Sequence, residues 1–167
     1  MILFLSCAES PVDEDEFHFT KWEKSLVPNY SNGEKVIYKT FNGKADTIQI
    51  RTIKEEQINE GVYFMQRAPV NSIWIDLENE HLFFSLNKDF DNKTSILHVD
   101  FKGFASEDVR TDTIKLHSVK LGKSDVKCVI LNCYSSDGSL TVYWEYLRGI
   151  CGYHLESGDV FIRQDLW

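Results

Sequence analysis

Three short turn signatures constrain this chain more than anything else in it. Asn42-Gly43, Asp137-Gly138 and Ser157-Gly158 each lie between two runs rich in β-branched and aromatic residues. Gly and Asn tolerate the positive φ that tight hairpin turns require. The signatures therefore predict hairpins joining residues 36–41 to 47–53, 126–134 to 140–146 and 150–155 to 160–163. No long helical pattern separates the strand-like runs, so the crossover helices of a parallel sheet have no place to form. The expectation is an all-β antiparallel meander of about eight to ten strands, closed loosely as an open barrel or packed as a two-sheet sandwich. One short helix is expected ahead of it within 17–27, with Phe19, Trp22 and Leu26 on one stripe and Pro28 as the stop, placed to plug an end of the sheet.

Size and charge narrow the partners. At 167 residues with 43% apolar side chains, the chain can bury one core without staples, and 17–167 reads as a single β domain. Its formal charge is −8 and no basic cluster stands out, which argues against nucleic acid. No run approaches the roughly 20 apolar residues of a membrane-crossing helix.

Ahead of that domain, Leu3-Phe4-Leu5-Ser6-Cys7 is an apolar run ending in a small residue and a cysteine, followed by polar residues and the acidic block Asp13-Glu14-Asp15-Glu16. The run resembles the end of a lipoprotein signal peptide. That resemblance implies a signal remnant at 1–6, lipidation of Cys7, and a solvated linker over 7–16. The basic n-region and most of the apolar h-region are missing, which predicts a start further upstream.

Alternation along the strands assigns the buried face to Ile48/Ile50, Ile73/Ile75/Leu77, Leu97/Val99/Phe101, Leu140/Val142/Trp144 and Val160/Ile162. The other face mixes polar residues with Trp74, Ile96, Val129, Leu131, Tyr143 and Phe161. Such a face is covered either by the chain's own loops and helix or by a partner. Trp74, Tyr143 and Phe161 are the candidate binding residues, since aromatic side chains carry large contact area at little entropic cost. The stretches from Asp46-Thr47-Ile48 and from Asp112-Thr113-Ile114 echo one another over nine residues. A duplicated four-strand unit would explain the echo, and so would the abundance of strand formers.

Chemistry is sparse. With Cys7 assigned to lipid, Cys128 and Cys133 lie on opposite faces of one strand, and either could form a disulfide with Cys151. His98 and Asp100 share a strand face, and with His117 they form the one constellation that could orient a general base or bind a metal. A solvated strand face is the plainer explanation of the same spacing. No nucleophile elbow, phosphate loop, dinucleotide fingerprint, zinc motif or calcium loop is present, so no catalytic residue, metal site or cofactor is assigned.

The order of features, from Cys7 and its acidic linker through Leu26-Val27-Pro28-Asn29-Tyr30 to Asp46-Thr47-Ile48, resembles small β-rich lipoproteins of the Bacteroidota. The closing segments Tyr143-Trp144-Glu145-Tyr146 and Gly149-Ile150-Cys151-Gly152-Tyr153 resemble the late strands of that group. The resemblance implies an outer-membrane lipoprotein, held by a lipid at Cys7 and facing the cell exterior. It also makes Thr47 and Thr113 candidate O-glycosylation acceptors, and it supplies no activity. The leading expectation is a non-enzymatic module for a protein, glycan or small-molecule partner. The rivals are a lipocalin-like carrier of an apolar ligand, and a hydrolase or metal enzyme using His98, Asp100 and His117.

Overall fold

The computed structural model describes residues 19–63, 66–77, 81–88 and 94–167, with the backbone alone for 52–63, 66–77 and 81. The signal remnant, Cys7 and the acidic linker lie outside the described residues.

The fold is all-β and antiparallel, with one short helix. Helix α1 (Lys21–Ser25) precedes β1 (Lys35–Lys39), β2 (Ala45–Tyr63), β3 (Gln66–Leu77), β4 (His81–Lys88), β5 (Ser95–Phe101) and β6 (Phe104–Ser106). After these come β7 (Val109–Arg110), β8 (His117–Leu121), β9 (Ser124–Ser135), β10 (Gly138–Glu145), β11 (Gly149–Leu155) and β12 (Val160–Arg163). The count exceeds the expectation because β6 and β7 are too short to show alternation. All three expected hairpins form. The middle one turns one residue early, at Ser136-Asp137, with Ser135 paired to Gly138.

The sheet coils back on itself without closing. Pairing runs from β9 through β10, β11, β12, β1, β2, β3 and β4 to β5. β5 and β9 do not pair directly, and β6 bridges them with two register pairs to each. Beside this seam the Val99 N–H donates to Ser106 Oγ at 2.9 Å. The result is an open barrel latched at one place.

Inside lies the main core, where Trp144 and Phe84 stack at 5.2 Å and Tyr153 meets Tyr38, Phe101 and Phe161. Removing a fully buried aromatic such as Trp144 costs about 3–5 kcal/mol. Five residues are too few for an autonomous helix, so α1 depends on its contacts. Thr20 and Glu23 form a reciprocal capping box. Trp144 Nε1–H donates to the Leu26 carbonyl at 3.0 Å, and Trp22 Nε1–H donates to Tyr146 Oη at 3.0 Å. Phe19 and Leu26 are buried in the main core and Trp22 packs against it, which is the stripe the sequence predicts.

A second, smaller cluster lies outside the barrel wall. The first half of β9 pairs with β8 and the second half with β10, so β9 joins the wall only at Val129. The β8–β9 hairpin folds over the outer face, burying Leu121, Val126 and Cys128 against Cys151, Ile162 and Leu166, with Tyr143, Val160 and Trp167 at the margin. This overturns part of the face assignment. Phe161, Val129 and Leu131 point into the main core, while Ile162 and Val160 point outward. Both faces of β12 are apolar and covered, so alternation alone could not tell inner from outer.

The sequence echo is not a structural repeat. Asp46–Ile53 is strand, whereas Thr111–Thr113 forms a 3-10 turn and the next strand begins only at His117.

Candidate functional site

The expected binding aromatics do not form one surface. Phe161 is 9% exposed and stacks on Tyr153 at 4.9 Å inside the main core. Tyr143 is half-buried beneath the β8–β9 hairpin, and burial raises its hydroxyl pKa. The Trp74 side chain lies outside the described residues; its backbone pairs with Phe83. The hairpin is the cover that the mixed outer face of the late strands requires.

Nor does the histidine constellation assemble. His98 Nδ1 is 3.1 Å from Asp108 Oδ1, so its carboxylate partner is Asp108 and not Asp100. His117 is exposed on β8, in register with Cys128. Among the described residues, no group of three or more His, Cys, Asp or Glu is placed to hold a metal ion. The cysteine geometry separates as strand alternation requires: Cys133 is buried in the main core, while Cys128 and Cys151 share the outer cluster.

A cleft of about 690 Å³ stands out instead, and none of the expected site residues lines it. It opens where two neighbouring strands differ in length. β1 pairs with β12 only at Tyr38↔Arg163 and Lys39↔Ile162, after which β12 ends and β1 continues to Lys35. At either end of β1, the Glu34 carbonyl accepts from the Ile50 N–H at 2.8 Å and the Thr40 N–H donates to the Lys44 carbonyl at 2.9 Å, so even-numbered residues bond toward β2. By ladder alternation, the amide and carbonyl groups of Lys35 and Ile37 face the opposite side, into the space that β12 has vacated. Among the described residues no strand pairs with Lys35 or Ile37 on that side, so the cleft has a short free strand edge as one wall.

Its opposite wall is charged. Arg163 Nε–H donates to Asp165 Oδ1 at 2.8 Å, and Arg148 Nη2–H donates to Asp165 Oδ2 at 2.5 Å. Arg148 Nη1–H also reaches Glu145 at 3.0 Å. Burial would raise the Asp165 pKa, but the two guanidiniums hold it below the usual carboxylate range. Lys35 adds a third cation to the lining, and Glu34 a second carboxylate.

Tyr30 forms the floor. Its hydroxyl accepts from the Ile150 N–H at 2.9 Å, which leaves its own proton to donate, and burial pushes its pKa up to about 12. It remains a neutral donor across the physiological range. Gly149 makes this position available: its φ is +70°, and a Cβ there would run into the Tyr30 hydroxyl. Behind Tyr30 the interior holds a void of only about 10 Å³, no larger than one water requires.

Comparison with known proteins adds no relative. No family model, curated protein or solved structure matches the chain. The geometry alone carries the reading. A free strand edge, a neutral phenol donor and a pair of guanidiniums around one carboxylate make a cleft suited to binding.

Sequence reasoning missed this site because Arg148, Arg163 and Tyr30 come from three distant stretches and share no motif. The one local trace is Tyr30-Ser31-Asn32-Gly33, a turn signature just before β1.

Proposed function

We propose that this protein is a non-enzymatic binding module that takes an extended, carboxylate-bearing peptide segment into the cleft beside β1. The supporting observation is the free β1 edge at Lys35 and Ile37. An extended segment gains main-chain hydrogen bonds by adding as a short strand, and a carboxylate at its end fits planar guanidinium donors. The cleft volume lies in the range of sites that hold small or partial ligands. Among the described residues the interior is packed by Trp144, Phe84, Tyr153 and Tyr38, which lends the apolar-carrier reading no support, because a lipocalin-like site needs an empty cavity.

A peptide library displayed with free C-terminal carboxylates tests this. Enriched peptides are expected to shift the amide resonances of Lys35 and Ile37, and to bind at least about tenfold more weakly to Arg148→Glu. Absence of enrichment, or binders indifferent to Arg148→Glu, would overturn the reading.

We further propose that the module is carried on an exported lipoprotein of the outer membrane, anchored through Cys7 and facing the cell exterior. The apolar run ending at Ser6-Cys7 and the acidic linker support this. Metabolic labelling of the natural protein with an alkyne fatty acid is expected to tag it, and a Cys7→Ala chain that retains the label would sink the assignment.

A further inference from the structure

The outer cluster contains two thiols whose arrangement the binding reading does not use. β9 joins the barrel wall only at Val129, so the preceding residues, Cys128 among them, lie over the outer face. Between Tyr143↔Gly152 and Trp144↔Ile150 the β10–β11 ladder slips by one residue, and Cys151 is the extra residue of that bulge. A bulge re-aims the side chain it displaces. The Cys151 thiol lies 3.0 Å from the Tyr143 carbonyl, and it shares the outer buried cluster with the Cys128 thiol. Both cysteines are fully buried.

We infer that Cys128 and Cys151 are the two halves of a disulfide that staples the β8–β9 hairpin to the barrel wall, and that Cys133 stays a free thiol. Cys133 is on the inner face of β9, in the main core, where it cannot reach Cys151. The polypeptide between the two bonded cysteines contains β10, so the bond would close a loop running through the wall itself.

Bond formation needs a disulfide-bearing oxidant, such as oxidised glutathione or a thiol oxidase. One thiolate attacks the oxidant disulfide, forms a mixed disulfide and expels one oxidant thiol. The second cysteine then attacks its partner's sulfur and expels the other, so two electrons and two protons pass to the oxidant. Because neither sulfur is exposed, the reaction belongs to a state in which the hairpin has not yet closed. Once closed, the bond is shielded from reductants by Leu121, Val126 and Leu166.

The experiment is to secrete the full chain into an oxidising bacterial periplasm, purify it without reductant, and alkylate it in denaturant before peptide mass mapping. The expected map links the Cys128 and Cys151 peptides and shows Cys133 alkylated. Alkylation of both Cys128 and Cys151, or a bond from either to Cys133 or Cys7, would overturn the inference. As a second readout, oxidised protein should melt about 8 °C above the same protein kept reduced throughout. An unchanged melting temperature would overturn the stapling role even with the bond present.

Discussion

Two networks of charge in this fold are built from the same chemistry. In one, Lys88 Nζ is 3.3 Å from Glu23 Oε1, and the two side chains are 4% and 6% exposed. Ser95 and Thr111 hydroxyls and the Thr20 backbone N–H also donate to the Glu23 carboxylate. In the other, Asp165 is held by Arg148 and Arg163, with Arg148 at 43% and Asp165 at 51% exposure. The buried network has no water to fall back on, so every lone pair is occupied by protein and the helix is fixed to β4 and β5. The half-exposed one can exchange a protein carboxylate for a ligand's. The difference teaches that burial, more than charge count, decides whether an ion pair serves the fold or a partner.

Breaking the buried pair gives the largest effect. Glu23→Gln leaves Lys88 charged and uncompensated, and should cost about 3–5 kcal/mol in urea unfolding. Replacing both residues by apolar ones of similar size should recover most of it. The same network sets the acid limit. Burial alone would raise the Glu23 pKa, but hydrogen bonds from Ser95 and Thr20 and the charge of Lys88 pull it below 4.5. With the folded value below the unfolded one, its contribution is complete above about pH 4.5 and is lost as pH falls through the folded value. Wild-type stability should therefore drop across that window, and the Glu23→Gln curve should be flatter there. A parallel pair of curves would remove Glu23 from the acid response.

The smallest expected change in stability comes from the exposed network. Asp165→Asn should alter unfolding free energy by no more than about 1 kcal/mol. It should nevertheless strengthen binding of a carboxylate peptide, because Arg148 and Arg163 lose their resident competitor. Weaker binding by titration calorimetry would show that Asp165 builds the site and does not merely occupy it.

The hairpins were legible because their signal is local: a glycine or asparagine at a tight turn reports its own backbone. The capping box Thr20-x-x-Glu23 is a local signal that the helix stripe did not need, and nothing in the sequence says that Glu23 also meets Lys88 across the fold. Face assignment failed at Phe161 because it assumes one wet side, and the β8–β9 hairpin removes it. The cleft was invisible because it arises from a mismatch in strand length. β12 stops at Arg163 while β1 runs on to Lys35, and no residue pattern encodes a neighbour's end point.

The junction of β1 with β12 has a consequence in time as well as in space. Every other neighbouring pair around the barrel forms between segments closer in sequence, whereas Tyr38↔Arg163 joins the beginning of the described sheet to its last strand. Such a contact bears the greatest loop-closure entropy and is expected late in folding. The cleft is built on that contact. An incompletely folded chain, even one with its hairpins formed, would thus lack the charged wall of Arg163 and Asp165 across from the β1 edge, and ligand capture would report that the barrel had finished assembling.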